Sequence, residues 1–182
     1  NPESRFFSKK GLILGGSHSP SPLNSEAHQG DLSAVLLQNL NPLVNLIRVP
    51  KKPIILMDEW ESKIKAIVEN TWNKDVNSLS GVPSWMLVLI KAVLKKTGRE
   101  YLTDVWPNLE VFFHGGISFE PYREQYKTLI PSDKMHYMET YNASEGFFGL
   151  QDDPTDPSLL MMPDYGIFYE FIPMNEVGSA HP

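Results

Sequence analysis

The sequence predicts an α/β protein: a mostly parallel sheet with helical crossovers, followed by an antiparallel β-rich C-terminal part. Strand-like runs at 77–80, 109–113 and 135–140 alternate with helix-like segments at 84–96 and 121–129. Such alternation is the signature of parallel strands joined by right-handed crossovers. Beyond residue 140, the runs Phe147–Leu150, Leu159–Met162 and Ile167–Ile172 follow with no helix between them, which reads as an antiparallel meander. A length of 182 residues, with 41% hydrophobic and 21% charged, suits one ordinary domain. Such a chain buries roughly 70% of its unfolded surface, enough for a real core.

Each element has a local reason. Residues 1–10 are mostly polar and read as a lead-in. Leu12-Ile13-Leu14 running into Gly15-Gly16-Ser17 reads as a short strand entering a tight loop. Residues 18–30, with Pro, Ser, Asn and Gly, read as loop. Leu32 to Ile47 has helical spacing interrupted by Pro42, and 49–54, with two prolines and two lysines, reads as a linker dividing sub-segments 1–50 and 51–182. Asp58–Trp72 is the clearest helix: Trp60, Ile64, Ile67 and Val68 make one stripe, with Glu59, Glu61, Lys63 and Lys65 off it. Ser84–Lys96 follows, with Ser84 as N-cap, Thr97-Gly98 as stop and a middle so apolar that burial all round is expected. No internal repeat occurs.

Composition excludes several classes. Sixteen basic and 22 acidic residues give a net charge of −6, so no electrostatic footprint for nucleic acid or anionic lipid is expected. The absence of cysteine removes disulfides, thiolate zinc sites and a cysteine nucleophile, and suits a cytoplasmic protein. The opening Asn1-Pro2-Glu3-Ser4-Arg5 has no apolar core of a signal peptide, and no apolar run reaches the ~20 residues of a membrane helix.

In open α/β sheets ligands bind beyond the carboxyl ends of strands. Two turns fall there, at the same sheet edge if their strands are parallel neighbours. The first is Phe113-His114-Gly115-Gly116-Ile117-Ser118; paired glycines allow unusual dihedrals and close backbone approach to a flat ligand, or serve only a strand-to-helix turn. The second is Tyr141-Asn142-Ala143-Ser144-Glu145-Gly146, which brings an aromatic for stacking, a hydroxyl for a phosphate oxygen and a carboxylate for Mg²⁺. The bland alternative makes Tyr141 a strand end, Ser144 a turn cap and Glu145 a solvated charge. A rival reading uses Ser144 as a hydrolase nucleophile, since Asn142–Gly146 falls one residue short of the Gly-x-Ser-x-Gly elbow. It needs a helix after Ser144 and a downstream His, and His181 is the only one. Asn142-Ala143-Ser144 also matches the N-glycosylation pattern. The five histidines lack ligand spacing, Gln151–Pro154 reads as a turn before a calcium site, and neither a Walker loop nor a Gly-x-Gly-x-x-Gly loop occurs.

At these turns the chain resembles the Gretchen Hagen family of acyl-acid amido synthetases, in the adenylate-forming superfamily. The likeness rests on Phe113-His114-Gly115-Gly116, Glu139-Thr140-Tyr141-Asn142-Ala143-Ser144-Glu145-Gly146-Phe147-Phe148-Gly149 and Tyr165-Gly166-Ile167-Phe168-Tyr169-Glu170-Phe171-Ile172-Pro173. Leu12–Ser17, Gly30–Ala34 and Ser80–Trp85 look like bacterial members, so the likeness spans nearly the whole chain. It implies that the chain is a portion of an adenylate-forming N-terminal domain, with ATP and Mg²⁺ as cofactors and a carboxylic acid and an amino acid as substrates. By position, Gly115, Gly116 and Ile117 would line the adenine face and Tyr141 would stack on it. Asn142 and Ala143 would shape the turn, Ser144 would touch the α-phosphate, and Glu145 would hold Mg²⁺. Asn142 departs from members with Ala or Gly there. The family's Ser/Thr/Gly-rich phosphate loop, Tyr-x-x-Gly-Asp-type ribose motif and C-terminal lid do not occur in residues 1–182. The resemblance therefore implies a partial adenylation domain, with little catalysis by this chain alone. A non-catalytic binding or scaffold relative of the same fold is the alternative.

Overall fold

The computed structural model describes residues 8–20 and 28–178. In chain order its strands are β1 (Lys10–Leu14), β2 (His18–Pro20), β3 (His28–Gly30), β4 (Arg48–Val49), β5 (Val76–Gly81), β6 (Val111–His114), β7 (His136–Ala143), β8 (Gly146–Leu150) and β9 (Leu160–Met161). Seven of them form one sheet in the order β4-β1-β5-β6-β7-β8-β9, and β2 and β3 form a separate antiparallel ribbon. From β4 to β7 all pairings are parallel; β7–β8 and β8–β9 are antiparallel. The helices are α1 (Leu32–Gln38), α2 (Val44–Ile47), α3 (Lys52–Ile55), α4 (Trp60–Thr71), α5 (Pro83–Thr97), α6 (Leu102–Val105) and α7 (Arg123–Leu129). The expected α/β class with an antiparallel C-terminal part is therefore what forms.

Burial follows from this architecture. Val76, Asn77, Ser78 and Leu79 of β5 are all buried, as expected of a central parallel strand covered on both faces. The core joins Leu12, Leu79 and Phe112 of the sheet to Ile67 of α4 and Ile90 and Val93 of α5. In α4 the predicted stripe turns inward, and the Glu59 carboxylate caps the helix by accepting from the backbone N–H groups of Glu61 and Ser62. Gly98 stops α5 as expected, and Lys95 and Lys96 in its last turn complement the negative helix end. Among the described residues no helix is long and apolar enough to cross a membrane.

Several local expectations are corrected. Residues 18–20 and 28–30 pair as a ribbon instead of forming open loop, while 21–27 lie outside the described residues. The presumed linker 49–54 contributes Val49 to β4 and most of α3, because β1 offers a free edge to pair with. Ser84 is not the cap of α5. Pro83 occupies the first turn, where it needs no donor, and Val82 is the cap residue. Trp85 and Val88 are exposed, so α5 is not buried all round. Lys63, placed off the stripe, is buried. Ile167–Ile172 forms no strand: no neighbouring strand pairs with it, and Phe168 is 86% exposed.

Candidate functional site

A cleft of about 600 Å³ opens at the carboxyl ends of β1, β5, β6 and β7. Its floor includes Gly15, Gly16, Ser80, Gly81 and His114; one wall is Leu36 of α1, Leu40 just after it and Trp85 of α5, and the rim opposite is Gly115, Gly116 and Asn142–Ser144. The topology builds that rim. β7 pairs with β6 only through residues 136–139, and from Thr140 onward it pairs with β8 instead. The β7–β8 hairpin therefore projects past the end of β6, beside the cleft.

The two sequence turns do meet at this edge. Gly115 runs so close to β7 that an added Cβ would lie 2.3 Å from the Thr140 carbonyl oxygen. Thr140 Oγ1 also donates to the His114 carbonyl at 3.1 Å, which fixes the two strand ends together. Gly116 adopts a left-handed φ of 83°. Of the eight candidate residues, Gly115, Gly116, Asn142, Ala143 and Ser144 line the cleft, whereas Ile117, Tyr141 and Glu145 do not. Ile117 is exposed beyond the glycines. Tyr141 is 55% exposed and its ring leans on Phe148 with centroids 5.1 Å apart.

The expected turn over 141–146 is corrected. Tyr141–Ala143 belong to β7, and only Ser144 and Glu145 form the reversal, because Asn142 and Ala143 pair with Phe147 and Gly146. A nucleophile elbow requires a strand–Ser–helix turn; Ser144 sits instead at a hairpin tip, and His181 lies outside the described residues.

Two features of the cleft were not singled out from the sequence. The first is the bracing of the tight loop Gly15–Ser17, which the sequence showed only as a loop. Lys63, 2% exposed, reaches from α4 to donate to the carbonyls of Gly15 (2.7 Å) and Gly16 (3.1 Å). The Gly16 N–H donates to Ser33 Oγ at 2.8 Å and the Ser17 N–H to Asp31 Oδ2 at 3.1 Å. A Cβ on Gly16 would collide with the Asp31 carboxylate at 2.0 Å. Burial lowers the Lys63 pKa, with Asp31 and Asp58 partly opposing it. The available signal was position: Lys63 adjoins Ile64, one residue from the apolar stripe.

The second is an aromatic cluster behind the glycine rim. His114 is 3% exposed and stacks on Phe119 at 4.3 Å, and Phe119 stacks on Tyr137 at 5.0 Å. Arg123 lies over the Phe119 ring. His114 Nδ1 and Tyr137 Oη are both enclosed without a hydrogen-bond partner. Burial, and then the Arg123 charge, push the His114 pKa down to about 4, and burial pushes the Tyr137 hydroxyl up to about 12. The sequence signal was a histidine immediately before a glycine pair.

A second groove, about 550 Å³, lies away from this edge, near the C-terminal ends of α4 and α5. Its Lys96 pairs with Glu69 and answers the α5 helix end. Among the described residues, no three His, Asp or Glu side chains gather as a metal cluster.

A family model described as the GH3 family N-terminal domain matches residues 3–135, which takes in β1 to β6 and stops short of β7. Among curated proteins none matches the chain.

Proposed function

This chain belongs to the Gretchen Hagen (GH3) family of acyl-acid amido synthetases, an adenylate-forming family, and on that premise we propose that its cleft is the nucleotide side of an adenylation site. In this reading a carboxylate oxygen attacks the α-phosphorus of ATP, and the bond to pyrophosphate breaks as pyrophosphate leaves. The amine of an amino acid then attacks the acyl carbon, losing a proton as the bond to AMP breaks. The observation that carries the reading is the joining of Gly115–Gly116 and Asn142–Ser144 at one carboxyl edge of a parallel sheet, where α/β proteins bind nucleotides.

The residues take roles suited to their positions. Gly115 and Gly116 both line the cleft, and at Gly116 the space a side chain would take is open up to Val82 Cγ2 at 3.6 Å, which leaves room for a flat adenine to approach. Ser144, at the cleft margin, can donate to a phosphate oxygen. Tyr141 points away from the cleft lining, so stacking on adenine requires the hairpin to turn inward. Mg²⁺ commonly binds through one or two carboxylates plus substrate phosphates. Glu145 fits that mode: it is exposed at the hairpin tip beside Ser144, with no hydrogen bond or ion pair among the described residues. Bound there, the ion would offset charge on the phosphates. The absence of cysteine and of a membrane-crossing helix among the described residues accords with a cytoplasmic setting.

The test is ATP–pyrophosphate exchange on the full-length product of the reading frame, with a panel of carboxylic acids and a no-acid control. Acid-dependent exchange is expected. A full-length protein that neither exchanges nor binds AMP would instead be a non-catalytic relative.

A further inference from the structure

The net charge of −6 conceals a local asymmetry. Residues 32–57, from α1 to just past α3, contain no Asp or Glu, although the chain holds 22 of them, and they carry Arg48, Lys51 and Lys52. Lys10 of β1 joins these three, since its Nζ donates to the Leu46 carbonyl at 2.6 Å. Lys52 Nζ donates to the Gln38 carbonyl at 3.0 Å, and the Arg48 guanidinium donates to Asn45 Oδ1. Arg48 is 7% exposed, and its Nε and Nη1 have no partner. Burial lowers its pKa, and no carboxylate opposes that shift. All the oxygens met here are neutral. They satisfy single N–H groups but cancel no charge, and among the described residues none of the four cations pairs with a carboxylate.

The same segment exposes apolar side chains. Leu43 and Leu46 are 71% and 67% exposed, and a spacing of three residues puts them on one face of the α2 turn. Val35 and Leu36 of α1 are exposed as well. Lysine is depleted from the interfaces between proteins, so leucine beside uncompensated lysine fits a protein partner poorly. It fits the boundary of an anionic bilayer, where apolar side chains enter and Lys or Arg meets the headgroups. We propose that the α1–α2 face, at the β4 edge of the sheet, docks reversibly on a phospholipid surface bearing anionic headgroups. Leu43 and Leu46 enter the boundary between headgroups and acyl chains. Lys10 and Lys51 stand at the headgroups, and the buried Arg48 adds attraction from behind them. The attachment is peripheral and spans nothing. It goes beyond the adenylation reading and holds whether or not the cleft takes a nucleotide.

Flotation of the 182-residue chain with phosphatidylcholine vesicles, with and without phosphatidylserine, tests the docking, because it separates bound protein from aggregate. Binding is expected to the phosphatidylserine vesicles at low salt and to be lost toward 1 M salt, where the screening length shrinks to about 3 Å. Lys51→Gln should weaken the partition roughly fivefold. Leu43→Ser combined with Leu46→Ser should abolish it, and since both side chains are exposed, thermal melts should show the fold intact. Phe168→Ser with Phe171→Ser alters exposed aromatics in the chain after β9, the opposite sheet edge, and should leave binding unchanged. Equal binding to both vesicle types, binding that survives the leucine changes, or binding lost through Phe168 and Phe171 overturns the assignment. So does a chain that stays off the vesicles and instead dimerises through Leu43 and Leu46 in light scattering, which would give this face to a second copy.

Discussion

Lys63 Nζ on α4 lies 2.7 Å from the carbonyl oxygen of Gly15, 48 residues earlier in the chain. A buried ammonium is therefore the tie between a helix and the turn that floors the cleft. With Ser33 and Asp31 holding the Gly16 and Ser17 amides, the turn's backbone groups are bonded from two elements at once.

Lys63→Met should strand the Gly15 and Gly16 carbonyls, both on buried residues. Relief of the ammonium's desolvation offsets part of that loss, so the net cost should be about 1–3 kcal/mol in urea unfolding. An unchanged midpoint would mean that water replaces the amine without penalty.

Gly115→Ala should be the more harmful of the two glycine changes. Its Cβ would meet backbone oxygen, which cannot swing aside as a side-chain tip can. A loss of about 2–3 kcal/mol is expected, with the β6 and β7 ends pushed apart. At Gly116 the nearest atom to a new Cβ is Val82 Cγ2 at 3.6 Å, so only the left-handed φ is penalised, by about 1 kcal/mol. Thermal melts of both variants rank them.

Acid should destabilise the fold through His114. Its folded pKa is about 4 against an ordinary 6.5, so between those values the unfolded chain binds the extra proton. The stabilisation is present above pH 6.5 and is lost as the pH falls toward 4, on the order of 3 kcal/mol in all. His114→Phe should flatten this part of the stability–pH curve measured by denaturant titration.

Glu145→Ala should reduce adenylation far more than stability, since the side chain is exposed at a hairpin tip and unpaired among the described residues. Exchange assays and melts on the same full-length variant separate the two. A collapse of the melting temperature would make Glu145 a structural residue.

The parallel half was legible because its signals are local. Hydrophobic stripes in α4 and α5, turn residues between them and short apolar runs name each element before any partner is known. What escaped was decided by partners. Tyr141–Ala143 look like a loop until β8 pairs with them, and Val49 looks like a linker until β1 does. Ile167–Ile172 shows the reverse: its apolar content suggests a strand, yet no strand lies beside it. At the site, glycines and Ser144 were visible as residue types in turns. The roles of Lys63 and His114 were not, because they depend on burial and on carbonyls and rings contributed from distant positions.

The change of partner along β7 also has a kinetic consequence. Its last residues, 140–143, find β8 across a two-residue reversal, whereas its first, 136–139, must wait for β6 to be brought back by α7. Hairpins form in about 1–10 μs, and pairings that close longer loops are slower. The outer arm of the cleft should thus acquire its shape before the sheet that it overhangs. Substitutions at Phe147 or Phe148 should then alter the refolding rate, while those at Val111 should act mainly on unfolding.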